Sequence, residues 1–473
     1  MSRNYKSLRA FVFIILVIFL VNACQPTDFA EPLPLATATQ PAKPTAAASE
    51  TPTPSLSTII QPTIALDYKT LKGHTISLSH PFIDQEVIIN QLVREFNLSN
   101  VWGLHVTSTT QAGYYDLAQS LLNQTNNADM IIGMGSDLAA AEPVVNWFDL
   151  AHFSNDPQYG ISNLYAEEGV FGKITSQLTG NESLNSLPIA FNPGLIYYNQ
   201  GWAEELGQLE PPTTQEQLLQ LAKTAANVNA NDGNILNNGT GGLWLSQSSL
   251  SALSWYASMG GQFGDPEDGY LPDDEILIAS FSDLKDAFLE DETWIGVDSV
   301  AYRYFSDRYA IAYEGNLLDL PFQTAYQSEG AYQDNWISLP YLNAEGQANL
   351  VLEPLSFAIQ SNNEKSQLAA YIFGRWLLEP EQQEKLVSIH GLWPATGNPA
   401  DIASAFANAN PAWQSALDYD PTLIQIPLAA SWAQTQLVFQ DAYQRVYNLD
   451  AQYFPSILEV FKETLRINLE QRP

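Results

Sequence analysis

One cysteine, Cys24, is all this chain has in 473 residues, and it carries only 19 Lys and Arg against 52 Asp and Glu. A single thiol excludes an internal disulfide framework, so any folded part must be held by its own core. The shortage of basic residues, at a net charge of −33, excludes nucleic acid as a partner, because neutralising phosphates takes clustered Lys and Arg. Such a charge keeps an exposed protein soluble, and it is compatible with cationic ligands. The five histidines, His74, His80, His105, His152 and His390, form no HxH or HxxxH pair, so no metal site and no cofactor is predicted. Asn227 to Gly233 has the flavour of a calcium loop, but its glycine falls one place late and the closing carboxylate is missing, which leaves a polar turn. Neither a G-x-S-x-G elbow nor a P-loop occurs, and the acidic pairs Asp273-Asp274 and Asp291-Glu292 read as solvated loop residues, so catalysis is not predicted.

No apolar run has membrane-spanning length at the start of the chain either. Ala10 to Val21 is wholly apolar, yet its twelve residues fall short of the about 20 that a spanning helix needs. With Arg3, Lys6 and Arg9 before it, the stretch reads as an export signal that is cleaved. It resembles a bacterial lipoprotein signal, with aliphatic Val21, small Ala23 and Cys24 as the residue to be lipidated, which makes residues 1–23 the signal. The plainer alternative is a secretory signal with an incidental cysteine. Residues 24–65 are Pro, Thr, Ala and Ser with few bulky apolar groups, including Thr51-Pro52-Thr53-Pro54. Such composition buries too little surface to offset ordering entropy and reads as an extended tether.

About 410 residues follow the tether, more than one core usually organises, so two lobes are expected. Strand and helix patterns alternate from the outset. His74 to Ser79 alternates around Ile76 and Leu78, and a helix from Asp84 presents Ile88, Leu92 and Phe96. Leu104 to Ser108 is a second strand, Tyr114, Leu117 and Leu121 a second helical stripe, and Asp129 to Met134 a third, continuously apolar strand. This β-α-β-α-β order predicts an α/β fold with open, mostly parallel sheets flanked by helices, whose ligands sit beyond the carboxyl ends of the strands. Gly133-Met134-Gly135 reads as a tight turn rather than a dinucleotide fingerprint. Thr213-x-x-Glu216 reads as a capping box before the buried stripe Leu218, Leu221, Ala222 and Ala225, and Pro455 splits the helical pattern from Ser431 to Leu469.

The middle of the chain carries a family signal. Leu187-Pro188, Gly194-Leu195-Ile196-Tyr197-Tyr198-Asn199 and Pro211-Pro212-Thr213 resemble the crossover region of the extracellular solute-binding proteins of bacterial ABC importers, in the maltose-binding-like, mostly sugar-binding group. Ala128-Asp129-Met130-Ile131, Asp149-Leu150, the stretch from Ile359 through Ala370 and Phe373 to Trp376-Leu377, and Gly391 to Pro394 follow in the family's order. The resemblance covers roughly residues 70 to 400. It implies a type II periplasmic-binding fold with hinge strands, with 66–192 and 300–352 as one lobe and 193–299 and 353–473 as the other. Crossings are expected between Pro188 and Asn199, around Ser299 to Arg303 and near Leu352 to Phe357. It further implies a monomer, a membrane permease as partner, and hinge closure around a small solute.

A sugar offers flat C–H faces rimmed by hydroxyls, so its site needs aromatic plates and hydrogen-bonding acceptors. At the predicted strand ends of the first lobe these are Phe82, Tyr114 and Ser136. Trp244 and Trp255 flank the polar run Ser246 to Ser249, where a strand leads into a helix. The resemblance adds Tyr313 and Glu314 after the strand Tyr309 to Ala312, Trp393 at the Gly391–Pro394 bend, and Glu353 beside a crossing. Trp147 and Trp376 read as core. The leading expectation is a lipid-anchored, extracytoplasmic receptor that captures a carbohydrate and hands it to an ABC permease. The alternatives are a receptor for a cationic or small organic solute such as a polyamine, and, in another class, a secreted hydrolase of carbohydrate.

Overall fold

The computed structural model describes residues 68–154, 156, 159–161, 184–264, 270–295 and 301–470. The signal, the tether and Cys24 lie outside them. Strands β1 (Thr75–His80), β2 (His105–Thr110) and β3 (Met130–Met134) run parallel in the order β2-β1-β3, with β1 in the middle. Helices α1 (Glu86–Ser99) and α2 (Tyr114–Leu122) are the crossovers. Leu117 and Leu121 bury as the spacing predicts, and all five residues of β3 are buried, as a strand covered on both faces requires. In α1 the buried set is Ile89, Leu92, Val93 and Phe96, while Ile88 is exposed. The apolar stripe is a band about 100° wide rather than one row, and of the predicted row Leu92 and Phe96 fall inside it while Ile88 lies at its rim.

The turn expected at Gly133–Gly135 is absent. β3 runs directly into α3 (Gly135–Ala141), because Gly135 lies against two other segments: a Cβ there would come within 2.6 Å of Leu428 and 2.8 Å of Pro354.

The long strand β4 (Leu187–Asn199), buried throughout, carries the chain from one half of the molecule to the other. Its first half pairs antiparallel with β10 (Ala348–Ile359), through Leu187↔Phe357 to Asn192↔Glu353. Its second half, Gly194 to Asn199, pairs with β7 (Ala310–Asn316) and β8 (Trp336–Leu339). Beyond β7 come β5 (Gly241–Trp244) and β6 (Thr293–Trp294), parallel to one another and to β7. The path is β2-β1-β3-β10-β4-β7-β5-β6. Short strands β9 (Tyr341–Leu342) and β12 (Thr422–Gln425) pair with β10, and β11 (Trp393–Pro394) with β4.

These pairings correct the expected division of the chain. Residues 310–316 belong with 241–244 in the second half, not with the first lobe, and Glu353 to Ile359 pairs with β3 and β4 in the first half. The crossing at β4 stands where it was expected, and so does the one near Leu352 to Phe357. The crossing expected at Ser299–Arg303 begins outside the described residues, which resume at Ala301. Ala301–Ser306 is a helix, α7, followed by β7; hydrogen bonding to β5 holds β7 in the second sheet.

Helices cover both faces of the second sheet: α4 (Gln215–Asn231), α5 (Ser249–Ser258), α6 (Asp274–Leu289), α7 and α8 (Leu320–Glu329). The cap of α4 is one residue later than predicted. Thr214 accepts from the backbone of Gln217, and the Gln217 side chain accepts from Thr213 N. The suspected loop at Asn227–Gly233 is largely helical, since α4 runs to Asn231. Returning to the first half are α9 (Glu364–Leu377) and α10 (Pro380–His390), the latter opened by Pro380 and closed by left-handed Gly391 (φ 70°). The chain then ends in α11 (Ala430–Val446) and α12 (Phe454–Glu470), split as Pro455 predicts.

Candidate functional site

Strand directions alone locate the site. β10 is antiparallel to β3, and Leu355 opposes Met134, so the residues just before Leu355 lie at the carboxyl end of β3. On the other half, Asn316 at the carboxyl end of β7 opposes Gly194. The carboxyl ends of both sheets therefore converge on Asn192–Gly194 of β4, the point where the chain crosses. The Asn192 side chain accepts a 3.0 Å hydrogen bond from Leu317 N, which ties the second half to the crossing.

On the first side, four of the predicted residues come together. The Phe82 ring stacks on His80 (centroids 5.6 Å, 20°) and meets Tyr114 edge-on at 6.3 Å and His390 at 6.1 Å. Ser136 donates from its hydroxyl to Glu353 Oε1. Burial pushes the Tyr114 phenol up, and the nearby carboxylates of Glu353 and Asp137 add to that, which places all three in one electrostatic neighbourhood. Burial raises Glu353 to about 7, with Ser136 pulling down and Asp137 pushing up. It raises Asp137 to about 6, and this carboxylate hydrogen-bonds to none of the described residues. His80 and His390 are held neutral by burial, with values lowered to about 4 and about 3. Each uses Nδ1 to accept a backbone N–H, from Phe82 and Leu392, and leaves Nε2 unpaired among the described residues.

On the second side, Glu314 is buried at 2 % exposure and fully engaged. Trp255 donates its indole N–H to Oε1, and Ser246 N donates to Oε2 at 2.7 Å. The carboxylate thereby fixes the loop Ser246–Ser248 that leads from β5 into α5, whose own cap is the Ser248 hydroxyl. Gln440 and Gln444 of α11 both donate to the Gln247 carbonyl, so the loop is clamped from two directions. A void of about 10 Å³ remains beside Glu314 and Trp255, room for about one water. Burial lifts Glu314 to about 8 against these hydrogen bonds.

Three of the predicted placements need correction. Tyr313 and Glu314 do not follow a strand; they lie in β7, whose two-residue alternation sends them to opposite faces. Tyr313 packs with Tyr197 at 4.9 Å and Phe305 at 5.2 Å, and Trp244, its register partner, shares that apolar face. The third is Trp393, which is fully buried: its indole donates to the Trp413 carbonyl at 2.8 Å, and the Trp413 indole answers to Gly391 O at 2.7 Å. The bend is thus a core clamp and not a ligand plate. Trp147 is core as predicted, donating to Leu138 O.

Asp137 and Asn192 were not anticipated. The first follows Ser136 on the opening turn of α3, so the strand-end rule that found Ser136 contained the signal. Asn192 has none, since its role comes from a partner 125 residues away.

The profile of the bacterial extracellular solute-binding proteins matches residues 91–415, and the chain belongs to that family. It is therefore an extracytoplasmic solute receptor by family, and its fold is the two-lobed α/β architecture of periplasmic binding proteins. Among solved structures it is similar to the cyclic alpha-maltosyl-1,6-maltose binding protein from Arthrobacter globiformis, with TM-score 0.66, 15 % identity, and 84 % of this chain and 99 % of that one covered. UgpB from Mycobacterium tuberculosis in complex with glycerophosphocholine aligns with TM-score 0.65 at 15 % identity over 84 % and 98 %. The sugar-binding protein MalE from Xanthomonas citri aligns with TM-score 0.64 at 14 % identity over 84 % and 100 %. No curated protein sequence matches the chain.

Proposed function

We propose that the chain captures a neutral carbohydrate between its two lobes and delivers it to the permease of an ABC importer, held at the membrane by a lipid on Cys24. The observation that carries this reading is the group at the crossing: a Phe82–Tyr114 aromatic corner beside the Ser136–Glu353 pair. Aromatic edges and faces suit sugar C–H groups, and a carboxylate with a hydroxyl suits the sugar's hydroxyls. Among the described residues no Lys or Arg pairs with Glu353, whose hydrogen-bond partner is Ser136, or with Asp137, which argues against anionic solutes. Similarity to receptors whose names specify maltose-type sugars supports the carbohydrate class.

A second reading, a cationic solute, is favoured by one feature: Asp137 has no hydrogen-bond partner among the described residues and stands near a second carboxylate. Thermal unfolding of the purified chain against neutral saccharides, polyamines and choline-type cations separates the two. A ligand that binds only the folded state adds about 2.7 kcal/mol at one hundred times its dissociation constant. A rise confined to saccharides supports the proposal, a rise with cations alone replaces it, and turnover of a saccharide during the assay would make the chain an enzyme instead.

A further inference from the structure

The last two helices, α11 and α12, leave an apolar groove open to solvent. They enclose about 430 Å³ over a floor of Val438, Ala442, Ile457 and Phe461. The walls carry Leu437 at 64 % and Val460 at 63 % exposure, and Tyr453 stands half exposed beside the connection between the helices. On a chain with a net charge of −33, bulky aliphatic side chains held this far into solvent on both walls of one groove mark an interaction surface.

The rim of the groove says what covers it. Arg445 donates to the Asp441 carboxylate at 2.8 and 3.0 Å, and both side chains are more than half exposed. Leu437 precedes Asp441 by one turn on the same helix face. An opposite-charge pair along a helix is self-complementary. When a second α11 runs antiparallel across the first, about a two-fold axis between the two residues, each Asp441 meets the Arg445 of the other copy. The same register carries Leu437 towards Leu449 of the other copy, which lines its groove beside the helix connection. Basic residues are scarce in this chain, 19 against 52 acidic ones, and the pair places at the rim the countercharge that two such acidic copies need in order to approach.

We propose that a second copy of this chain covers the groove, in a two-fold dimer built on α11 and α12. The monomer implied by the family resemblance is then its dissociated form. Two seventeen-residue helices side by side present a face of about 25 Å by 20 Å, so the dimer buries about 1,000 Å² in all, at the low end of specific interfaces. The association is accordingly weak and governed by concentration. Through Gln440 and Gln444 the same α11 holds the Gln247 carbonyl, so the contact reaches the second side of the cleft through one helix, whichever solute the cleft takes.

Sedimentation equilibrium from low to high micromolar concentration at physiological salt tests this, on the exported chain carrying Cys24→Ser so that no lipid drives association. The mass is expected to climb from monomer towards dimer. Leu437→Glu, at an exposed position that leaves the melting temperature unchanged, raises the dissociation constant at least tenfold. Arg445→Asp, which sets like charges against each other across the axis, does the same. The exchange Asp441→Arg/Arg445→Asp restores opposite charges in swapped places and returns the constant to within threefold of the parent, a recovery that a merely structural helix pair would not produce. A parent that stays monomeric throughout overturns the proposal. So does a dimer indifferent to Leu437→Glu, or one that the charge exchange fails to recover.

Discussion

Glu314 is the residue on which the second side of the cleft depends, and its chemistry has a measurable sign. Its carboxyl keeps its proton in the folded chain up to about pH 8, whereas the unfolded chain releases it near 4.5. Between those values the folded state holds more protons, so stability falls as pH rises through that window. Glu353, raised to about 7, and Asp137 and Asp319, each raised to about 6, act in the same direction over narrower windows. His80 and His390 oppose them: burial lowers both, so the unfolded chain gains protons first as pH drops below 6.5, and stability falls on that side. The net charge adds self-repulsion that grows with pH. Maximum stability therefore lies on the acid side of neutrality. In Glu314→Gln the loss of stability from pH 6 to 8 shrinks, and a melting curve series should show the gap between those two pH values narrow by roughly 3 °C or more. An unchanged gap would mean that Glu314 is ionised in the fold and that Trp255 and Ser246 outweigh its burial.

At the scale of elements, Gly135 is a close approach in the first lobe, where α3, the middle of β10 and the segment before α11 meet. Gly135→Ala is expected to cost about 1–3 kcal/mol, the usual range for overpacking, because Pro354 belongs to a paired strand and cannot retreat. Chemical denaturation reads this directly, and a cost under about 0.5 kcal/mol would show that the contact is soft. The same junction explains what was legible beforehand. Alternation and helical spacing are local, and they located β1, β3, α2, the α4 stripe and the break at Pro455. The loop from β5 into α5 was equally readable from a polar run between apolar ones. Which half β7 joins was not readable, since it is decided by hydrogen bonds to β5 across some seventy residues. Trp393 was misplaced for a related reason. An aromatic at a glycine–proline bend looks exposed until Trp413, a sequence-distant partner, closes over it. Phe82, Tyr114 and Ser136 were singled out from strand ends, which are local features, and Glu353 from its place beside a crossing; the neighbourhood they share with Asp137 is a product of packing.

For the whole molecule, the family places the receptor outside the cytoplasm, and the proposed lipid on Cys24 decides whether it stays at the membrane. Two acyl signals give lasting attachment, whereas none leaves a chain this acidic free in solution. Cys24→Ser is therefore expected to move the receptor from the membrane fraction to the medium while leaving saccharide affinity within twofold. Retention of the variant at the membrane would show that another segment holds it.

The interleaved strands have a consequence for how the chain comes to be folded at all. β10 reaches β3 and β4 only after both sheets have been specified, and Ser136 meets Glu353 across 217 residues. Contacts so remote in sequence make a slow folder, because long loops must close before the contacts that reward closure can form. Neither lobe completes its sheet until the last third of the chain has emerged. A protein that the family places outside the cytoplasm gains from that delay: the topology that interleaves the two halves also keeps the polypeptide threadable until it is outside.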